Sequence, residues 1–340
     1  MSPPATFRRS AAVLMAVFGL ILTASPLPVS AAEVSVLLSA PRYDSPGALV
    51  PVIATAVDVP SGYTTTLTVS ASRGVLTCTG QIWRNPIVNS ISRKCYLTLA
   101  GSGTTTSLVG KAVLTNPDTP SISRSSAPRA VQADGYATAT MSLSAARLIE
   151  RCHNTTDHVQ LTFDDGASGT QLRSILTILK RNNARGTFFF LGTWAAANPD
   201  LYRLIRAEGH MIGNHSYDHP PMSRISNRKV LDQIRRGTAA STTPQLLRPP
   251  YAAGALTQRL VGLAAQRQYS VCRWTTDTYD WNGTTATAMA ERVRYGDYLS
   301  APIGRGGVIL MHGTGRYTAS GLQAIIDAVR AKGLQVQPLT

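Results

Sequence analysis

The sequence predicts an α/β protein in which a distorted (β/α)7-type barrel follows a β-sandwich domain of the immunoglobulin-like kind. Residues 33–145 are rich in Thr, Ser, Val and Gly and contain short strand-like runs without helical periodicity. Residues 146–340 alternate apolar strands with amphipathic helices, and their polar side chains fall where the strands end. The first pattern is typical of a sandwich and the second of a parallel sheet covered by helices.

Residues 1–32 are predicted to be a secretory signal peptide. Arg8 and Arg9 precede an apolar run from Ala11 to Leu22, and the small residues Ala31 and Ala32 follow it as cleavage points. A basic start, a short apolar stretch and a small-residue cleavage site define such a signal. The run is shorter than the ~20 residues that span a bilayer. We therefore expect a protein that is secreted, extracellular or cell-wall associated, with no transmembrane span after signal removal.

The β-rich accessory domain, residues 33–145, contains no histidine, and its acidic residues are isolated. No catalytic cluster is expected there, and a spacer or a wall-binding module is the predicted role. The Ser/Pro/Arg-rich segment Asn116–Asp134 is predicted to be a long loop or the interdomain linker. The predicted strands are Val34–Leu38, Val50–Ala56, Thr64–Ser70, Cys95–Ala100 and Tyr136–Leu143.

Four cysteines, an even number in an oxidising compartment, permit three disulfide pairings. We favour Cys78 with Cys95 and Cys152 with Cys272, because the first pair flanks a short excursion between two strand-like runs. No C-x-x-C spacing occurs, which disfavours a thiolate metal site or a redox motif.

The second domain, residues 146–340, is predicted to place an active site beyond the carboxyl ends of its strands, as β/α folds do. Helices are predicted at Gln171–Arg181, from its apolar stripe, and at Pro199–Ala207, from its start and stop signals. The seven strands are predicted to end near Phe163, Leu191, Gly213, Leu247, Trp274, Met311 and Val336. The polar residues at or just past such ends are Asp164, Asp165, His215, Arg248, Asp280 and His312.

Two of these segments together predict a metal site. His215 and His219 are four residues apart, so both rings face one side of a helical turn. Asp164 and Asp165 end an apolar strand before Gly166, where the backbone turns and brings both acids to one place. Alone, the histidine spacing is equally compatible with structural residues, and paired acids at a strand end are more often a cap or a solvated turn. Together they match the two-His, one-carboxylate arrangement of catalytic zinc.

Five motifs in the second domain, from about Cys152 to the C-terminus, resemble those of the polysaccharide deacetylases, also called carbohydrate esterase family four or the NodB-homology domain. The resemblance does not extend to the accessory domain. In family order the motifs are Thr162-Phe163-Asp164-Asp165-Gly166, Asn214-His215-Ser216-Tyr217-Asp218-His219, Arg248-Pro249-Pro250-Tyr251, Asp277-Thr278-Tyr279-Asp280-Trp281 and Ile309-Leu310-Met311-His312.

The resemblance implies a metal-dependent hydrolase that removes N-acetyl groups from a GlcNAc-containing polysaccharide, such as peptidoglycan or chitin, and so acts on a non-peptide C–N bond. It implies that Asp165, His215 and His219 bind a divalent metal, Zn²⁺ before Co²⁺. Asp164 is then the general base on the attacking water, and Arg248 orients this base through a charge-assisted hydrogen bond.

The resemblance further implies that His312 is the general acid toward the sugar nitrogen and that Asp280 holds its imidazolium. The backbone N–H of Tyr251 would face the oxyanion. The implied substrate-binding residues are Pro249, Tyr251, Trp281 and Leu310. Three positions depart from the usual family pattern: Ala167 for proline, Ala252 for glycine, and Gly313 for an acid or serine.

Other functions stay open to different degrees. An O-deacetylase, or acetylxylan esterase, uses the same machinery and is the main alternative. A non-catalytic wall-binding protein is disfavoured, because a pure binder needs neither Asp164 nor His312. A serine hydrolase is disfavoured because no G-x-S-x-G elbow occurs. A glycosidase needs carboxyl groups ~5 to 9.5 Å apart across a sugar bond, which sequence neighbours rarely provide.

The formal net charge of +15 comes mostly from arginines scattered along the chain. Besides an acetylated polysaccharide substrate, this charge predicts attraction to an anionic cell-wall polymer rather than to nucleic acid. A solvated basic surface without a dedicated partner explains the same composition.

Overall fold

The computed structural model describes residues 34–39, 43–44, 49–86, 89–98, 105–133, 143–252, 257–297 and 300–339. The predicted signal segment, residues 1–32, lies outside this range. Within the described residues, no helix combines the length and apolarity that crossing a bilayer requires.

The accessory domain consists of two β-sheets. One sheet has the strand order β1-β3-β6-β5, and the other has the order β2-β9-β7-β4 with β8 paired to β7. The strands are β1 Ser35–Ser39, β2 Tyr43–Asp44, β3 Leu49–Val57, β4 Thr64–Ala71, β5 Val75–Asn85, β6 Ser90–Thr98, β7 Thr105–Asn116, β8 Thr119–Ser125 and β9 Arg129–Ala133.

The two sheets share apolar clusters. Alternate residues of β7 are buried, as expected for a strand with one face against a core. One cluster joins Val50 and Val52 of the first sheet to Leu108 and Val131 of the second. The two sheets therefore bury facing surfaces, while the immunoglobulin-like class stays a prediction. A disulfide joins Cys78 to Cys95 across β5 and β6, the pairing that the sequence favoured.

The prediction that Asn116–Asp134 is a loop or linker is wrong. Strands β8 and β9 occupy most of it and pair antiparallel with β7. Ile122 and Val131 are buried, and Pro120 is tolerated because β8 is an edge strand. Strands β5 and β7 were not predicted. Of the predicted strand Tyr136–Leu143, residues 136–142 lie outside the described range, and Leu143 begins a helix.

The second domain is built on a seven-stranded parallel sheet in the order β14-β13-β12-β11-β10-β16-β15. Its two edge strands do not pair with each other, so the sheet curls as an incomplete barrel, in agreement with the predicted distorted (β/α)7 fold. The strands are β10 Gln160–Asp165, β11 Gly186–Phe190, β12 Met211–Asn214, β13 Leu246–Leu247, β14 Ser270–Val271, β15 Thr276–Asp277 and β16 Val308–His312.

Two predicted strand ends are wrong. The run predicted to end near Trp274 ends at Val271, and a separate strand, β15, begins at Thr276, because the chain leaves β13 and joins β16 between these residues. The N–H of Cys272 donates to Leu247 O (2.8 Å), whereas the N–H of Thr275 donates to Val308 O (3.0 Å). The segment 272–275 therefore crosses the open seam of the barrel. Val336 forms only an isolated bridge to Val159.

Helices cover the outer side of the sheet. Helix α2 begins after Ser168, whose hydroxyl accepts the Gln171 N–H, and its buried stripe confirms the apolar pattern. Together with the outward residues of the strands, this stripe belongs to the largest apolar cluster. The helices are α1 Leu143–Glu150, α2 Gly169–Arg181, α3 Gly192–Ala197, α4 Pro199–Ala207, α5 Asn227–Arg236, α6 Gln258–Ala265, α7 Ala286–Tyr295 and α8 Thr318–Arg330.

Strand β6 of the β-rich part of the chain contacts helix α1 of the part that carries the parallel sheet. Tyr96 is buried in an apolar cluster with Ala146 and Ile149, and its hydroxyl donates to Glu150. Lys94 Nζ lies 2.8 Å from the same carboxylate. Because the buried carboxylate has both a cation and a hydroxyl as partners, this contact satisfies the polar groups that it covers.

Candidate active site

The predicted site residues converge on one cavity of about 400 Å³ at the carboxyl edge of the parallel sheet. Arg248 and Asp280 lie behind the cavity wall, where each contacts a wall residue. The wall also includes Trp274 and Asp277, which were not predicted as site residues. The predicted residues on the wall are Asp164, Asp165, His215, His219, Pro249, Tyr251, Trp281, Leu310 and His312.

Strand alternation explains how β10 supplies two neighbouring acids. Phe163 packs outward against the helices, so Asp164 faces inward. Asp165 would continue outward, but its left-handed backbone (φ 71°) turns it back to the cavity. Asp164 is also the register partner of His312 on β16, which brings this distant pair to the same edge.

The glycine at position 313 is required by a close approach of two backbones. The Gly313 N–H donates to Asp164 O (3.0 Å). A Cβ at this position would lie 2.1 Å from the carbonyl oxygen of Gly166. The acid or serine that is usual after the last motif histidine therefore does not fit this backbone.

The helical turn predicted for His215–His219 is absent. The segment is a bend in which Ser216 (φ 74°) and His219 (φ 65°) are left-handed. Side-chain acceptors replace helical hydrogen bonds: Asn214 Oδ1 accepts the Ser216 N–H (2.8 Å), and Ser216 Oγ accepts the His219 N–H (3.1 Å). The two imidazoles still converge, with ring centroids 5.1 Å apart.

Asp165, His215 and His219 form a cluster that fits a divalent cation. Asp165 Oδ1 lies 3.4 Å from Nε2 of each histidine. Ligand atoms about 2.1 Å from a tetrahedral ion are themselves about 3.4 Å apart. Asp165 Oδ1 is buried and has no hydrogen-bond partner among the described residues, which is costly without a cation.

The tautomer of His215 also suits a metal ligand. Its Nδ1 lies 2.7 Å from Arg248 O, a backbone acceptor, so Nδ1 carries the proton and Nε2 presents its lone pair to the cluster. Burial and the neighbouring His215 lower the pKa of His219, which favours its neutral, ligating form.

Asp164 lies beside this cluster, and Arg248 holds its carboxylate from the side away from the cluster. Its Oδ2 is 3.8 Å from His215 Nε2, and its Oδ1 accepts from Arg248 Nη1 at 2.7 Å. Arg248 Nη1 also donates to Thr162 Oγ1 (2.8 Å), and the guanidinium stacks on Phe189. Arg248 is fully buried, so Asp164 supplies the counter-charge that such a cation needs.

His312 has a dedicated carboxylate. Its Nδ1 lies 2.8 Å from Asp280 Oδ1, and its backbone N–H donates to Asp280 Oδ2 (2.6 Å). The Thr318 hydroxyl donates to the same oxygen. Burial opposes the imidazolium, but the hydrogen bond and charge of Asp280, with Asp164 and Asp165, raise the pKa of His312 to about 9.

Asp277 and Trp274 were missed as cavity residues for different reasons. Asp277 opens the fourth motif, and its burial raises its pKa to about 6. A buried acid in a motif was a usable signal. Trp274 was assigned to a strand end from its apolar neighbours, and its place on the wall follows from the seam crossing, which is not a local pattern.

Left-handed backbone is concentrated at this site. Of the eleven non-glycine residues with positive φ in the described part of the chain, five lie in the site motifs, with φ between 58° and 74°: Asp165, Ser216, His219, Tyr251 and Tyr279. Each costs ~1 kcal/mol or more and persists only where the surroundings fix it. In the third motif the left-handed residue is Tyr251, while Ala252 belongs to the short 3₁₀ turn Pro250–Ala252. Glycine at position 252 is thus not required by this backbone.

Comparisons with known proteins agree on one family. The profile of a family described as polysaccharide deacetylase matches residues 153–271. A chitooligosaccharide deacetylase from a Bradyrhizobium species is 30% identical over 204 residues, which cover 54% of this chain and 90% of the relative. The peptidoglycan-N-acetylglucosamine deacetylase PgdA of Listeria monocytogenes is 32% identical over 186 residues, which cover 53% of this chain but only 38% of that relative.

A solved structure gives a similar extent of likeness. A family 4 carbohydrate esterase from Streptomyces lividans, in complex with acetate, is 33% identical and aligns with 53% of this chain and 91% of its own, with a TM-score of 0.46. The relatives and the solved structure match about half of this chain, whereas the family profile matches only residues 153–271. The first relatives extend well beyond the part they share with this chain.

Proposed function

This chain belongs to the polysaccharide deacetylase family, and from that premise we propose that it hydrolyses N-acetyl groups of a GlcNAc-containing polysaccharide. The observation that carries the proposal is the partnerless carboxylate oxygen of Asp165 between two imidazoles, with Asp164 and His312 on the same cavity wall. An acid and a base on opposite flanks of a cation cluster are what hydrolysis of an unreactive amide requires.

Asp165, His215 and His219 are proposed to hold the cation, for which Zn²⁺ is the first candidate and Co²⁺ the second. Imidazole with one carboxylate suits zinc, and three protein ligands leave a position open. When bound, the cation supplies Lewis-acid polarisation of the acetyl carbonyl and lowers the pKa of the attacking water.

Asp164 is proposed as the general base. Its carboxylate is next to the cluster but is not one of its three members, so its Oδ2 is available to take a proton from the attacking water. Arg248 fixes the other oxygen through a charge-assisted hydrogen bond of 2.7 Å.

His312 is proposed as the general acid. With a pKa of about 9 its ring is protonated at neutral pH. Asp280 accepts from Nδ1, so the proton on Nε2 is available for the departing nitrogen. Amide cleavage needs this proton more than ester cleavage does, because an amide anion is a far poorer leaving group than an alkoxide. A general acid at His312 is therefore what N-deacetylation requires.

The acetyl group and sugar are proposed to bind between Pro249, Tyr251, Trp281 and Leu310. Tyr251 and Trp281 are exposed by 70% and 55%, which suits aromatic faces that cover a sugar ring. The Tyr251 N–H is proposed to stabilise the oxyanion.

The proposal extends to location and to the accessory domain. The predicted signal in residues 1–32 and the names of the relatives support export to the cell wall. The charge of +15 supports association with an anionic wall polymer. The shared clusters of the two accessory sheets support the immunoglobulin-like class.

Acetate release from chitooligosaccharides, peptidoglycan and acetylxylan tests the function. We expect release from a GlcNAc polymer, loss of release after chelation, and recovery with Zn²⁺ or Co²⁺. Preference for acetylxylan would select O-deacetylation. Binding to these polymers without acetate release from any of them would select the wall-binding alternative. Acetate release that a chelator does not reduce would refute metal dependence.

A further inference from the structure

Nη2 of Arg248, the guanidinium nitrogen that does not contact Asp164, lies against a disulfide and a backbone carbonyl. Arg248 Nη2 donates to Arg273 O at 2.9 Å. The same nitrogen lies 3.3 Å from Cys272 Sγ and 3.7 Å from Cys152 Sγ. Since Nη1 is engaged by Asp164 and Thr162, the guanidinium is held from both ends in one orientation.

The Cys152–Cys272 disulfide lies at the open seam of the barrel. It connects the chain just after α1 to the chain just after β14, across 120 positions of sequence. The Arg273 N–H donates to Ile149 O (2.8 Å), so the seam-crossing segment is pinned to α1. Cys152 Sγ lies 3.0 Å from Arg273 O. A disulfide sulfur has no hydrogen, so this is a packing contact that restricts the carbonyl rather than a hydrogen bond.

The seam needs such a restraint because no strand ladder supplies one. Strands β14 and β15 are two residues each, and they are the unpaired edges of the sheet. The carbonyl that receives Arg248 lies between them, where the chain changes partners. Both cysteines fall immediately outside the segment 153–271 that matches the family.

We propose that the Cys152–Cys272 disulfide is a positioning element for catalysis: it fixes the Arg273 carbonyl and thereby the arginine that orients Asp164. The inference rests on the proposed function, since it concerns the geometry of the proposed base. Without the disulfide, α1 and the seam separate slightly, Nη2 loses its fixed acceptor, and Asp164 turns with Arg248.

The other disulfide provides a matched control. Cys78 and Cys95 are register partners on adjacent strands of an accessory sheet, where the strand ladder already fixes them. Neither lines the active-site cavity. The variant Cys78→Ala/Cys95→Ala therefore removes a disulfide without touching the arginine.

The test compares kcat, KM and bound metal of Cys152→Ala/Cys272→Ala with those of the control variant, in the full-length chain. We expect kcat to fall by roughly 10- to 100-fold, as for a slightly misplaced catalytic group. KM and metal content should be unchanged, and the control variant should retain its kcat. Equal kcat in both variants would overturn the inference.

A double-mutant cycle separates positioning from simple support of the fold. In an Arg248→Lys background the guanidinium clamp is already gone, so removing the disulfide should lower kcat by less than about twofold further. The same factor in both backgrounds would mean that the disulfide only supports the fold, and the inference would fail.

If Cys152→Ala/Cys272→Ala does not fold, the inference can be tested by reducing the disulfide in the folded protein. In the Cys78→Ala/Cys95→Ala background, a phosphine reductant converts the remaining disulfide to two thiols, which alkylation and mass spectrometry quantify. We expect kcat to fall on reduction and to return on reoxidation at constant metal content. Full reduction with unchanged kcat would overturn the inference, whereas an inactive wild-type protein would instead refute the proposed function.

Discussion

The histidines on the two flanks of the cavity differ in their partners: His215 and His219 lie on one flank, and His312 lies on the other. On one flank His215 and His219 face Asp165, and burial together with mutual repulsion lowers the pKa of His219. On the other flank Asp280 raises the pKa of His312 to about 9 against the same kind of burial. The pKa of His219, which shares its carboxylate with a second imidazole, is lowered, whereas the pKa of His312, which has its own carboxylate, is raised.

The difference shows that the partner set, rather than the residue type, decides what each histidine does. Neutral imidazoles can ligate a cation, and a charged imidazole can donate a proton. Because the two flanks face a single cavity, one site can hold a Lewis acid and a Brønsted acid without exchanging their roles.

The largest effect should come from removing a proposed metal ligand on the flank of His215 and His219. We expect His215→Ala to lose both the bound metal, from about one equivalent to near zero, and detectable deacetylation, because a three-ligand site does not survive on two. Elemental analysis and acetate release check this. His312→Gln should retain the metal while losing activity. Metal loss in both variants would contradict the assignment of His312 to acid catalysis rather than to metal binding.

Asp164→Asn tests the residue between the flanks. We expect kcat to fall by about 10²- to 10⁴-fold, the usual contribution of a general base, while metal content is unchanged. Acetate release and elemental analysis again provide the measurements. Asp218→Asn, which changes an exposed acid in the neighbouring histidine loop, should behave as wild type. An Asn variant with wild-type kcat would show that Asp164 is not the base.

Asp280→Asn should lower the pKa of His312, because it removes the carboxylate that stabilises the imidazolium. The acid must be protonated to act, so wild-type activity should fall as pH rises through about 9. Without Asp280 the pKa of His312 returns to about 6.5, and the alkaline limb moves down with it. The kcat/KM ratio of wild type to variant should be roughly 30 at pH 8 and less than about twofold at pH 6. A loss equal at both pH values would contradict the tuning of His312.

The smallest effect should come from Trp281, an exposed residue of the cavity wall that is proposed to bind the sugar and to take no part in the chemistry. We expect Trp281→Ala to raise KM by about 2- to 10-fold with kcat nearly unchanged, because an exposed ring binds ground state and transition state equally. Steady-state kinetics on a chitooligosaccharide series measures this. A fall in kcat at constant KM would place Trp281 in the chemistry instead.

Many residues that line the cavity were predictable from the sequence, and their geometry was only partly so. The pattern of acids, histidines and glycines after apolar runs identified the acids and histidines of the cavity wall, whereas Pro249, Tyr251, Trp281 and Leu310 were implied only by the family resemblance. The helical turn predicted for His215–His219 failed because local side-chain acceptors, Asn214 and Ser216, stabilise a left-handed bend that spacing alone does not reveal.

The fold shows the same limit. The alternation of strands and helices predicted the barrel, but the run ending at Trp274 hides a change of strand partner that depends on residues far away in sequence. In the accessory domain, β8 and β9 were missed because pairing with β7 outweighs a Ser/Pro/Arg-rich composition that by itself favours a loop.

The sequence by itself determined which side chains are available and which elements carry them, because periodicity and strand-end punctuation are local properties of the chain. Only the tertiary structure decided in which directions the pKa values of His219 and His312 shift, which oxygen of Asp165 lacks a hydrogen-bond partner, and which groups contact Nη2 of Arg248. Those properties depend on burial and on charges a few ångströms away, and such neighbours are fixed only when distant parts of the chain pack together.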